Sequence, residues 1–250
     1  MKKFKIDPST HVAHWDYHKH TILFISDMHI PYHHPDSIRF LQALKKKYNP
    51  DLVVSLGDMA DFHCISFHDI NPDLDHAGNE LERLQEHARE IEKIFPNMVI
   101  IGSNHGDLHL RKALAHGLPK ALFRPYNDIY TVGPGWVFVD DLTIKAAGQP
   151  DLYISHGIKK NALQVAQQRG QRFVCGHYHE DFEIKYCGNP NDLLWSMMAG
   201  CLIDKQSLAF EYNKLNLKRP VIGTGVCVEG YPRLIPMVLS ASGRWVGRLL

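Results

Sequence analysis

Five short apolar runs lie in the first 180 residues of the chain, and each stops at a residue able to bind a cation or move a proton. Ile22-Leu23-Phe24-Ile25 leads into Asp27-Met28-His29, and Leu52-Val53-Val54-Ser55-Leu56 into Gly57-Asp58-Met59-Ala60-Asp61. Met98-Val99-Ile100-Ile101 leads into Gly102-Ser103-Asn104-His105, and Leu152-Tyr153-Ile154-Ser155 into His156-Gly157. Arg172-Phe173-Val174-Cys175 leads into Gly176-His177-Tyr178-His179. Apolar runs of this length, bounded by turn residues, predict buried strands. Side chains just past the carboxyl ends of such strands converge in the crevice where open α/β sheets hold their sites.

Between the runs the spacing turns helical. Pro35-Asp36 opens a helix to about Tyr48, with Ile38, Leu41 and Leu44 on one face and Lys45 to Lys47 near its end, where cations suit the helix dipole. Leu81, Leu84, Ala88, Ile91 and Phe95 recur at helical spacing over 79–95, and Pro96 ends the segment. Two shorter helices are predicted over about 107–115 and 159–169. The alternating segments 136–139 and 142–145, separated by Asp140-Asp141, predict a hairpin. Strands are expected at 182–186, 193–198, 225–228, 234–239 and 245–248. Residues 62–78 read as a long loop carrying His63, His68 and His76. A helix-rich first half and a strand-rich second half suit two stacked sheets with helices outside. The expected partition is a polar, solvated N-terminal extension over 1–20, rich in histidine, and a single domain over 21–250.

Composition narrows the function classes. A chain of 250 residues suits one α/β domain, and 22% charged with 44% hydrophobic residues is ordinary for a globular protein. A formal net charge of +1 argues against a strong sequence-independent grip on a nucleic-acid backbone. Five cysteines without a Cys-x-x-Cys pair, and no secretory apolar region, lead to the expectation of reduced thiols in a cytoplasm. No apolar run approaches the length of a membrane span. Over 202–220, Lys205, Lys214, Lys218 and Arg219 are interleaved with Phe210 and Tyr212, a combination that can track a nucleic-acid strand or simply form a charged surface loop.

Taken singly, each motif has a structural explanation. Asp27 and Asp58 can cap helices, His156 can be a buried histidine with a backbone partner, and His-x-His can be a polar loop. Together, in this order and after five strands, they resemble the calcineurin-like metallophosphoesterase family, whose pattern is D-x-H, G-D-x-x-D, G-N-H, H and G-H-x-H. The match runs from Asp27 to His179, about three-fifths of the chain. It departs from the pattern twice. Ser103 stands between Gly102 and Asn104, and Asp61 is followed by Phe62-His63 without the Arg-Gly of the protein phosphatase branch.

The resemblance implies a four-layer αββα sandwich of two mixed sheets flanked by helices. It implies two divalent ions, Mn²⁺ first, with Fe, Zn²⁺ and Ni²⁺ as alternatives; a mixed N/O donor set without thiolate suits such metals. Asp27, His29 and His179 would hold one ion, Asn104, His156 and His177 the other, and Asp58 would bridge them. Attack by a metal-bound hydroxide would hydrolyse the phosphate ester. His105 would protonate the leaving group, with Asp61 keeping it charged. The expected substrate is a phosphodiester in DNA or a nucleotide. A phosphomonoester is the alternative, with Arg111 or Arg39 in place of the missing arginine. A non-catalytic scaffold and a nuclease subunit needing a partner are further alternatives.

Overall fold

The structure is a computed structural model that describes residues 4–67, 73–207 and 219–249. Its strands, in chain order, are β1 (Val12–His14), β2 (Thr21–Ile25), β3 (Leu52–Ser55), β4 (Met98–Ile101), β5 (Trp136–Val139) and β6 (Leu142–Lys145). They continue as β7 (Leu152–Ser155), β8 (Arg172–Cys175), β9 (Phe182–Gly188), β10 (Leu193–Ala199), β11 (Gly223–Val228) and β12 (Tyr231–Pro236). Hydrogen bonding sorts them into two mixed six-stranded sheets, ordered β12-β11-β2-β3-β4-β5 and β1-β6-β7-β8-β10-β9.

Alternation along the strands explains the layering, because successive side chains point to opposite faces of a sheet. In β2, Leu23 and Ile25 pack with Phe40, Leu41 and Leu44 of α1 (Ser37–Tyr48) and with Leu84, Ala88 and Ile91 of α2 (Ala77–Ile94). Ile22 and Phe24, on the other face, join a separate cluster with Ile144 of β6, Ile154 of β7, Val174 of β8 and Met197 of β10. That cluster is the seam between the sheets. On the far side of the second sheet, Tyr153, Phe173 and Met198 are covered by Ala162, Val165 and Ala166 of the helix Ala162–Arg169. The order helix, sheet, sheet, helix is the expected four-layer sandwich.

Three sequence expectations give way to tertiary pairing. Trp136–Val139 and Leu142–Lys145 are both strands, but they form no hairpin. β5 lies parallel to β4 in the first sheet, while β6 pairs with β1 and β7 in the second. Asp140-Asp141 therefore carries the chain from one sheet to the other. It lacks the Gly that a two-residue hairpin turn favours at its left-handed position.

The N-terminal segment is no solvated arm over its described part. β1 runs parallel to β6, Trp15 and Tyr17 are buried, and the Tyr17 hydroxyl donates to the Pro150 carbonyl at 2.7 Å. His18 and His20 have ordinary structural partners there, Arg172 at 3.0 Å and the stacked ring of Trp15.

At the C-terminus, 245–248 forms no regular strand. Trp245 makes an isolated bridge to Leu239, and Arg244 clamps Asp36 through two hydrogen bonds of 2.7 and 2.6 Å. Of the basic and aromatic residues read between 202 and 220, Lys214, Lys218, Phe210 and Tyr212 lie outside the described residues, as does His68.

Candidate metal centre

All seven of the expected ligand residues sit just beyond strand ends: Asp27 and His29 after β2, Asp58 after β3, Asn104 after β4, His156 after β7, and His177 and His179 after β8. The parallel arrangement of β2, β3 and β4 aims three of these loops the same way. The loops are held in sparsely populated backbone conformations, with φ of 51° at His29, 39° at Asp58 and 71° at His177. Such strain persists only where surrounding structure over-determines it, and it clusters at functional sites. Two glycines make the close approach feasible. A Cβ on Gly57, itself at φ 101°, would lie 2.6 Å from His156 Nδ1, and a Cβ on Gly176 would strike the Asp27 carboxylate.

The side chains form two donor clusters joined at one atom. Asp27, His29, Asp58 and His179 bring ligand atoms within 4.8 Å of one another. In that group His29 Nε2 lies 3.2 Å from His179 Nε2, and His179 Nε2 lies 3.2 Å from Asp27 Oδ2. The second cluster joins Asp58, His156 and His177, with His156 Nε2 3.1 Å from His177 Nδ1 and 2.8 Å from Asn104 Oδ1. Asp58 Oδ2 belongs to both, 3.4 Å from His29 Nε2 and 3.1 Å from His156 Nε2.

This donor set fits a divalent metal. Asp27 Oδ1 is buried without a hydrogen-bond partner, the kind of atom that is costly to bury unless something electropositive meets it. Ring nitrogens face ring nitrogens, an arrangement in which lone pairs converge on a common point. At two of the histidines the second ring nitrogen is tied off. His156 Nδ1 sits 2.9 Å from the Leu56 carbonyl, and His29 Nδ1 sits 2.5 Å from Asp61 Oδ1. Such partners fix tautomer and ring orientation, so that the opposite nitrogen of each ring faces the other donors of its cluster.

Asp61 serves two histidines. Besides His29, its carboxylate lies 3.2 Å from His105 Nδ1, and its backbone carbonyl lies 2.8 Å from the same atom. Burial disfavours the charged form of His105, but the hydrogen bond to Asp61 and the charges of Asp58 and Asp61 outweigh it and raise its pKa to about 9. Burial dominates at His29 and lowers its pKa, favouring the neutral, ligating form. At His156 burial is again outweighed, here by Asp58 and Asp27, and the pKa rises to about 9; a bound cation would compete with that proton. Burial pushes Asp61 up, but hydrogen bonds from His105 and His29 win and hold it below the usual carboxylate range.

Beside the second cluster opens a cleft of about 540 Å³, lined among others by Asn104, Arg111, Asp140, Asp141, His156 and His177. Arg111 donates to the Asn104 carbonyl at 3.0 Å, whereas Arg39 lies elsewhere, 3.7 Å from Asp36 and over the ring of Trp245. Sequence reasoning passed over Ser103 except as a departure from a pattern. Its hydroxyl accepts from the Asp58 N–H at 2.8 Å and from the Gly106 N–H at 3.1 Å.

Fold and site together define a metal-binding α/β sandwich with a hydrolase type of donor set. The chain belongs to the calcineurin-like phosphoesterase family, whose family model matches residues 20–214. No curated protein matches it by sequence. Among solved structures, it is similar to Vacuolar Protein Sorting 29 from Cryptosporidium parvum, at 17% identity over 92% of this chain and 94% of that one, with a TM-score of 0.44. It is also similar to YfcE, a phosphoesterase from E. coli, at 13% identity over 92% and 98% of the two chains and a TM-score of 0.41. A third is the nuclease MPE of Pseudomonas putida, at 10% identity over 94% and 91% and a TM-score of 0.37. Likenesses this distant carry no information on substrate.

Proposed function

We propose that the chain is a metal-dependent phosphoesterase acting on phosphodiesters of the nucleotide type. Asp27, His29 and His179 hold one divalent ion, Asn104, His156 and His177 hold a second, and Asp58 serves both. The observation that carries this reading is the position of Asp58 Oδ2 between the two donor clusters, 3.4 Å from His29 Nε2 and 3.1 Å from His156 Nε2. Divalent ions held there, Mn²⁺ being the one the family resemblance puts first, would supply Lewis acidity toward phosphoryl oxygens and a nucleophile at neutral pH. The protein's own part is to orient the ester and manage its proton. His105, tied through Nδ1 to Asp61, has Nε2 left to protonate the departing oxygen. An alkoxide leaving group needs that proton, whether it departs from a diester or from a monoester. Asp107, Asp140 and Asp141 line the cleft beside Asn104, His156 and His177. Three carboxylates favour a single nucleotide-sized group with hydrogen-bond donors over a long polyanion. Five cysteines without a Cys-x-x-Cys pair support the reading of a reducing, cytoplasmic setting. No helix among the described residues is long and apolar enough to cross a membrane.

Arg111 favours a second reading, a phosphomonoesterase, because a cation on the cleft wall beside Asn104 suits the dianion of a terminal phosphate. A panel with added Mn²⁺ separates the two: aryl diester, aryl monoester, cyclic nucleotides, and single- and double-stranded DNA. Faster turnover of the diesters and cyclic nucleotides is expected, and preference for the monoester would select the second reading. The metal site is tested independently. Purified wild type is expected to take up two equivalents of Mn²⁺, and Asp58→Asn to lose occupancy at both positions together with turnover. Full metal and full rate in Asp58→Asn would rule out a shared carboxylate, and a metal-free, inactive wild type would point to a scaffold.

A further inference from the structure

Ser103 occupies the position before Asn104 at which the resembled pattern carries glycine. The residue is 8% exposed, and it ties together two loops that carry the proposed ligands. Its oxygen accepts two backbone N–H groups, from Asp58 on the loop after β3 and from Gly106 on its own loop. The Asp58 main chain is gripped from both ends. Its N–H goes to Ser103, and its carbonyl accepts from the N–H groups of Met28 and His29 at 3.1 and 2.8 Å. The Asp58 carboxylate is turned by the same loop, since the His105 N–H donates to Oδ1 at 3.1 Å, leaving Oδ2 directed between His29 and His156. Without the hydroxyl, the Asp58 N–H loses its partner at a buried residue already held at φ 39°. Space is matched as well. A Cβ on Gly57 would lie 2.8 Å from the Cβ of Ser103, so glycine at 57 and serine at 103 fit as a pair.

We infer that Ser103 is a positioning residue that locks the Asp58 carboxylate in register with Asn104 and His105, so that the two metal positions are occupied together. The inference rests on the dinuclear reading given above. A side-chain oxygen at 103 fixes the height and rotation of Asp58 relative to the loop bearing Asn104, a ligand of one ion, while Asp58 itself serves both. Losing that link should cost affinity chiefly at the position held by Asn104, His156 and His177. Partners that orient ligands from behind are worth about 10–100-fold in metal affinity.

The test titrates metal-depleted full-length wild type, Ser103→Ala, Ser103→Gly and Ser103→Thr with Mn²⁺ by calorimetry, alongside melting curves of each metal-free chain. In Ser103→Ala and Ser103→Gly, one of the two binding events is expected to weaken about tenfold or more while the other changes less. Ser103→Thr, which keeps the oxygen, is expected to restore it. Should the threonine methyl prevent folding, the paired loss in the alanine and glycine variants still decides the matter. Two wild-type-like affinities in Ser103→Ala would overturn the inference alone. A lower metal-free melting point with both affinities unchanged would also overturn it, reducing Ser103 to a structural hydrogen bond. A wild type that takes up no Mn²⁺ would overturn the dinuclear reading and this inference with it.

Discussion

Asp61 shows how one carboxylate can hold two imidazoles in different states. It accepts from His29, whose burial keeps the ring neutral, and from His105, whose partners favour the charged ring. The difference lies in surroundings: His29 is 1% exposed, while the His105 side chain is 27% exposed. A neutral histidine suits a ligand and a charged one suits a proton donor. His105→Ala is therefore expected to leave Mn²⁺ uptake near that of wild type and to lower kcat by about 10²–10⁴-fold on an alkyl diester. The loss should shrink for a nitrophenyl leaving group, and an equal loss on both substrates would remove His105 from the acid role.

At the scale of elements, the loop after β2 is pinned where it enters α1. Asp36, buried at the start of that helix, accepts from the Arg244 guanidinium through both oxygens and from the Trp245 N–H at 3.0 Å. The hydrogen bonds from Arg244 hold the Asp36 carboxyl well below its ordinary value of 3.8, with burial opposing them. A carboxyl depressed in the folded state adds stability that is fully present above the unfolded value and is lost as pH falls through the folded one. Melting temperature should thus fall as pH drops below about 4, and Asp36→Asn should lower the neutral-pH melting temperature while flattening that acid limb. Equal acid limbs in variant and wild type would show that Asp36 carries none of it. Upstream, the N–H groups of Met28 and His29 donate to the Asp58 carbonyl, so the clamp acts at the far end of the same loop.

At the scale of the whole molecule, the N-terminal segment adds an edge strand and part of the core. β1 extends the second sheet, and Trp15 lies in the seam between the sheets beside the edge of Phe4 and the face of His20. Trp15→Ala is expected to cost about 3–5 kcal/mol, the range for emptying a buried tryptophan site. Chemical denaturation would measure it, and an unchanged midpoint would mean that the segment contributes no core. The reading of 1–20 as a solvated extension came from four histidines in a polar run. What it lacked was the partner: β6 lies alongside Val12–His14 and takes the Trp15 N–H, and the turn that follows buries Tyr17, whose hydroxyl donates to the Pro150 carbonyl.

Local sequence determined the units and the reacting groups. Short apolar runs marked β2 to β4, helical spacing marked α1 and α2, and the Asp, Asn and His that end the runs marked the loops whose side chains now meet. Those signals are local, since strand burial, helix faces and turn residues act within a few positions. Pairing was decided at longer range. Whether 142–145 folds back on 136–139 or crosses to another sheet depends on strands far away in the chain, and both outcomes satisfy the same alternation. The same holds for the links that tune the site. Ser103 reaching the Asp58 N–H, and Asp61 shared between His29 and His105, join residues 32 to 45 positions apart. Hydrogen bonds of that span have no period to betray them, and they exist only once the sheet has brought the loops together.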